Sequence, residues 1–143
     1  MKKQVYPFFI LFVSIAFLAC SSTKNTSKVA VISPLDRVQG SWRLIANNGV
    51  DQGRNQYKHY TETNFFWHIM NNANIIVSSG GGECYADGDY IVEKVTFVSP
   101  NMSEIKGMTA KIKIELKQDT LIQRTTLGAQ TLSETWVKIK KDR

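Results

Sequence analysis

The sequence predicts an all-β fold, a small eight-stranded up-and-down antiparallel barrel. Three observations predict it. Apolar residues recur with period two over most of the chain after residue 35. The plainest case is Thr109 to Lys117, where Ala110, Ile112, Ile114 and Leu116 alternate with Lys111, Lys113, Glu115 and Lys117, giving one buried and one solvated face. Polar turn clusters divide the β-branched and aromatic runs at hairpin spacing, as in Glu62-Thr-Asn64, Asn71-Asn-Ala-Asn74 and Asp87-Gly-Asp89. No helical period lasts longer than a turn, apart from a short one at 35–38. Consecutive antiparallel strands with short links form a meander, and closing it removes the exposed edges.

In chain order, strands are predicted at 41–46, 57–61, 65–70, 75–79, 83–86, 90–98, 109–117, 121–126 and 133–140. The second and third face each other across the turn at 62–64. The third is apolar on both faces, with Phe65, Trp67 and Ile69 on one and Phe66, His68 and Met70 on the other. Its outer face needs a cover, either the chain's own terminal segments or an external partner. Gly80-Gly81-Gly82 interrupts a continuous extended segment and reads as a bulge where one long strand turns a barrel corner. Segments 75–79 and 83–86 then count as one strand, and the total is eight. Gly88, between Asp87 and Asp89, suits a positive φ. Gln118-Asp119 turns 109–117 back into 121–126, and the longer connections are 47–56 and 100–106.

The N-terminus carries an address. Met1-Lys2-Lys3 precedes an apolar stretch of about a dozen residues ending at Ala19, which is the layout of a signal peptide and shorter than the roughly 20 residues a spanning helix needs. Phe17-Leu18-Ala19-Cys20 resembles a bacterial lipobox, in which a small residue precedes the cysteine that is lipidated and becomes the first mature residue. It departs from that pattern in holding Phe17 where leucine is preferred. The resemblance implies residues 1–19 as signal peptide, Cys20 as lipidation site, 20–34 as a polar flexible tether and 35–143 as the barrel domain, in the bacterial envelope on the outer membrane or its periplasmic face. The alternative is a secreted chain cut just after Cys20. Acyl chains at about 0.8 kcal/mol per buried methylene would anchor the protein without any domain residue touching lipid.

Charge follows the same partition. The whole chain has eighteen Lys plus Arg against twelve Asp plus Glu, net +6, but Lys2, Lys3, Lys24 and Lys28 all precede the domain. What remains is nearly balanced, with no basic stripe interleaved with aromatics, so a nucleic-acid partner is not expected. After lipidation of Cys20, Cys84 is the remaining cysteine, so the domain has no internal disulfide and Cys84 is expected as a buried, inert thiol. At about 109 residues the domain is large enough to fold on an apolar core.

Gly40-Ser41-Trp42, preceded by Leu35-Asp-Arg-Val38, resembles the lipocalin opening: a short helical turn, then Gly-x-Trp, with the tryptophan plugging the closed end of the barrel. Gly40 and Trp42 are structural residues on that resemblance. With Asn64-Phe-Phe-Trp67, Ser78-Ser-Gly-Gly-Gly-Glu-Cys-Tyr85, Asp87-Gly-Asp-Tyr90 and Glu134-Thr-Trp136, the chain is similar to a group of bacterial lipocalin-like lipoprotein domains of unknown function. The similarity runs from about residue 35 to 140. It implies a calycin-type barrel and leaves the ligand open. Arg124 is the candidate for the late arginine that covers the tryptophan in lipocalins. Eight strands is the size at which side chains either fill the interior or leave room for one small ligand.

Few residues suggest chemistry. His59 and His68 are expected as neighbours on one face of a hairpin, but zinc takes three or four ligands, and a third would have to come from Glu83, Cys84 or Glu93. The glycine run lacks the Lys-Ser/Thr and following helix of a phosphate cradle, and no serine or cysteine is paired by spacing with a base and an orienting acid. The expectation is therefore a non-enzyme without cofactor or metal. Trp67, Tyr85, Tyr90, Arg124 and Trp136 are the candidates for lining a pocket as apolar walls with a few polar groups, against plain core packing for each. The expected function is binding of a small apolar or amphipathic ligand without turnover. The alternative is a filled barrel that meets another envelope protein or a glycan, as an inhibitor or assembly factor.

Overall fold

A computed structural model describes residues 32–140 apart from 52, 54, 128 and 129. The expected signal peptide, the lipidation site Cys20 and the tether up to residue 31 lie outside the described residues, as do 141–143. The chain enters through helix α1, Pro34–Val38, whose first turn is set by Pro34 and by Ser33 Oγ accepting from the Leu35 N–H at 3.2 Å. Gly40 then adopts φ 114°, a backbone that only glycine takes without strain, and the chain swings into β1, Gly40–Asn47. The Gly-x-Trp spacing thus puts Trp42 two residues past the swing, where its Nε1 donates to the Val38 carbonyl at 2.7 Å and ties helix to strand.

The strands that follow are β2 (Val50–Asp51), β3 (Asn55–Tyr60), β4 (Asn64–Met70), β5 (Ile76–Asp87), β6 (Tyr90–Val98), β7 (Thr109–Lys117), β8 (Thr120–Leu127) and β9 (Gln130–Lys138). Every pairing is antiparallel and between neighbours in the meander, and β9 returns to pair with β1. The result is a closed, eight-stranded up-and-down barrel, to which β2 adds a short hairpin on the end of β1. That hairpin and the 3-10 turn at Pro100–Ile105 are the elements that periodicity did not predict, because each is too short to show a period.

The glycine run behaves as its sequence suggests. Residues 76–87 form one strand of 12 residues, and its register with β6 shifts between Gly81 and Gly82, so the bulge falls within the run. Each of the three glycines admits a close neighbour. A Cβ on Gly80 would lie 2.7 Å from the Trp67 ring, one on Gly81 2.5 Å from the Phe65 carbonyl oxygen, and one on Gly82 2.0 Å from the Lys94 carbonyl oxygen.

The inward face gathers Leu35, Val38, Trp42, Leu44, Tyr60, Phe65, Trp67, Cys84, Ile91, Leu121 and Trp136 into one core. Trp42, Trp136, Ile91, Leu121 and Val38 are the largest side chains fully out of solvent, each contributing about 1.5–3 kcal/mol by burial. They sit at the end where α1 crosses, and they seal it. Toward the opposite end the inward residues Ile69, Val95, Ala110, Thr125, Leu132 and Glu134 are half-buried. There the β4–β5 hairpin carries Ile75, Ile76 and Val77 exposed.

Candidate functional site

Strand alternation sends a second kind of side chain inward. Lys58 and Tyr60 come from β3, Glu93 from β6 and Gln123 from β8, each on the parity of a core neighbour. Lys58 and Glu93 are only 7% and 6% exposed. The Lys58 ammonium lies 3.3 and 3.4 Å from the two Glu93 oxygens and donates to Gln123 Oε1 at 3.1 Å. Gln123 Nε2 donates to the Tyr60 hydroxyl at 2.6 Å, and that hydroxyl donates to Glu93. The four groups close a ring across the barrel. Lys58 also stands 5.3 Å from the centre of the Trp136 ring, a cation–π contact on the floor.

Burial works to depress the Lys58 pKa, but the Glu93 carboxylate outweighs it with help from Glu134, so the ammonium is held above its ordinary value. Tyr60 is raised well above the phenol range by burial and by Glu93. Both shifts keep the charge and proton pattern of the ring in place at neutral pH. Cys84, opposite Glu93 in the register, is a buried free thiol. Burial first, and then Glu93, push its pKa up to about 11. The thiolate is the nucleophile that attacks iodoacetamide and displaces iodide, so at about pH 8 the folded protein is expected to resist the reagent and the denatured chain to react readily. Labelling at equal rates in both states would place Cys84 outside the core.

The pocket residues proposed from sequence divide between the two faces of the wall. Trp67 and Trp136 are buried in the interior. Tyr85 is 55% exposed on the outer face, and Tyr90 and Arg124 line an outer depression of about 650 Å³ between β6, β7 and β8, together with Lys111, Lys113 and several threonines. Arg124 donates to Glu115 at 3.2 Å and does not cover Trp42, because its position in β8 points outward. That place is taken by Lys138, opposite Trp42 in the register and with Nζ 5.3 Å from the indole centre. The ring of Lys58, Tyr60, Glu93 and Gln123 was missed by pattern reading, although Glu93 shares a strand parity with Ile91 and Val95, and Gln123 with Leu121.

The outer face of β4 behaves as its two-sided apolarity implies. Tyr57, His59, Phe66, His68 and Phe97 form a row of near-parallel rings, with Tyr57 to His68 5.1 Å apart, His59 to His68 5.4 Å and Phe66 to Phe97 6.2 Å. The row crosses β5 at Gly81, which sits between Phe66 and Phe97 in the register and leaves the gap the rings fill. Cys84 and Glu93 lie on the other side of the wall from the two histidines, and among the described residues no three His, Cys, Asp or Glu side chains gather in the arrangement of a metal site.

Burial lowers the pKa of His59, and burial plus the charge of His59 lowers that of His68, both from 6.5. The unfolded chain therefore binds more protons than the folded one as pH falls below about 6.5. The stability carried by the neutral rings is present above that value and is lost as pH drops through the lowered folded values. Tm is expected to fall more steeply between about pH 7 and 5 in the native chain than in His68→Phe; equal slopes would remove the histidine pair from the account.

Compared with known protein families and with curated proteins, the chain matches none.

Proposed function

We propose that this protein is a non-catalytic, lipocalin-like binding protein of the bacterial envelope, anchored through Cys20, that takes one small amphipathic molecule into its barrel. The observation that carries the reading is the asymmetry of the interior. One end is closed by Trp42, Trp136 and α1, while the inward side chains at the other end are half-buried and so reach solvent. Apolar walls above a few fixed polar groups are the usual make-up of a small-molecule site. The exposed Ile75, Ile76 and Val77 would give the mouth an apolar rim.

Native mass spectrometry of the full chain purified from its own host tests this. The expected result is a bound mass of a few hundred daltons lost on denaturation. A bare chain whose Trp fluorescence is also unmoved by amphiphilic probes would sink it.

A second reading is favoured by the outer ring row. In it the barrel is an interaction module, and Tyr57, Phe66 and Phe97 meet another envelope protein or a glycan. Aromatic rings on an uncovered sheet face are a common contact surface. Substituting Phe66 and Phe97 by Ser separates the two readings, since it would remove partner capture without changing any mass carried inside.

A further inference from the structure

We infer that the polar end of the barrel's ligand is a hydrogen-bond donor carrying positive charge, an alkylammonium-type group, and that Glu134 at the open end receives it. The inference rests on the binding reading above and specifies it. Above the floor, where Lys138 sits against Trp42, the interior holds formal charges of one sign in excess. Glu93 and Glu134 face inward, and Lys58 is the one inward-facing cation above the floor among the described residues. An ammonium has three N–H donors, and those of Lys58 are directed at Glu93 Oε1, Glu93 Oε2 and Gln123 Oε1. None remains for an incoming carboxylate, so a fatty-acid headgroup would meet two carboxylates and, among the described residues above the floor, no unengaged cation.

The mouth has the opposite surplus. Glu134 accepts from Trp136 Nε1 at 3.2 Å through one oxygen, and a carboxylate has acceptor capacity well beyond one bond. Opposite it in the register stands Asn47, whose Oδ1 is buried and accepts no hydrogen bond. A buried acceptor left without a donor is costly, and a ligand N–H between Asn47 and Glu134 would satisfy both. The half-buried Leu132 and Thr125 flank that point, so an alkyl chain has apolar wall beside it.

The test compares octylammonium, octanoate and 1-octanol by titration calorimetry at about pH 7.5, using the full chain in phospholipid nanodiscs with empty nanodiscs as the blank. The expected order is octylammonium at least tenfold tighter than octanoate, with octanol between, and Glu134→Gln bringing octylammonium down to the octanol level. Octanoate binding as tightly as octylammonium, or a Glu134→Gln protein that keeps the full preference, would overturn the inference and leave the barrel a binder. No heat with any of the three would overturn the binding reading and this inference with it. Melting Glu134→Gln beside the native chain shows whether any loss is one of fold.

Discussion

Gly82→Ala is expected to abolish the folded barrel, while Gly88→Ala costs about 1–2 kcal/mol. Both are glycine-to-alanine changes in or beside β5, and the difference lies in what the new methyl meets. At Gly82 a Cβ would fall 2.0 Å from the Lys94 carbonyl oxygen and 2.7 Å from the Thr96 nitrogen. Both are backbone atoms of β6, so no rotamer change relieves the overlap. The bulge that joins β5 to β6 must open, and the barrel loses one of its seams. That belongs with the rare substitutions costing more than about 4–5 kcal/mol, a large share of the 5–15 kcal/mol typical of a whole domain. Gly80→Ala should be milder, because its contact is the Trp67 ring at 2.7 Å, and a side chain can yield at about 1–3 kcal/mol. Gly88 has φ 59° with open space around it, so only the backbone preference is lost. Circular dichroism melts of the three variants check the order. Gly82→Ala melting beside Gly88→Ala would mean that β5 and β6 are not joined by this bulge.

That glycine run also shows what made the fold legible. A strand interrupted by Gly80-Gly81-Gly82 has two readings, loop or bulge. The extended residues Ile75, Ile76 and Val77 before it and Cys84 and Tyr85 after it select the bulge, because a loop would have carried Asn, Asp or Pro at the run. Hairpin turns were legible for the same reason: Asp87-Gly88-Asp89 and Gln118-Asp119 are turns by their chemistry before any pairing is known. The site was far less legible. Period two tells which residues share a face, but not which side chains from strands 35 or 65 positions apart meet across a barrel. Lys58 reads as a surface lysine in Asn55–Tyr60, and only the closure of β9 onto β1 puts it within reach of Gln123. Tyr85, Tyr90 and Arg124 are residue types common in pockets. Their parity, one step out of phase with Cys84, Ile91 and Gln123, already assigns them to the outer face.

Lys58→Met and Glu93→Leu are each expected to cost about 3–5 kcal/mol when made singly, because either change leaves the other charge buried without its partner. Made together they should cost far less than the sum. With both charges gone, the remaining polar groups are the Tyr60 hydroxyl and the Gln123 amide, 2.6 Å apart. The amide can turn so that its oxygen accepts from the hydroxyl, which leaves its N–H groups as the one unpaired polar end. A double-mutant cycle by urea unfolding measures the coupling, and additive single effects would show that the two side chains do not share the interior. The sign of the double variant carries the further argument. Replacing a buried ion pair by apolar side chains of similar volume is often neutral or stabilising. If the double variant equals or exceeds the native stability, the ion pair contributes little to holding the barrel together. Because the double change removes one charge of each sign, Glu134 still leaves the space above the floor negative, and octylammonium should keep its preference over octanoate.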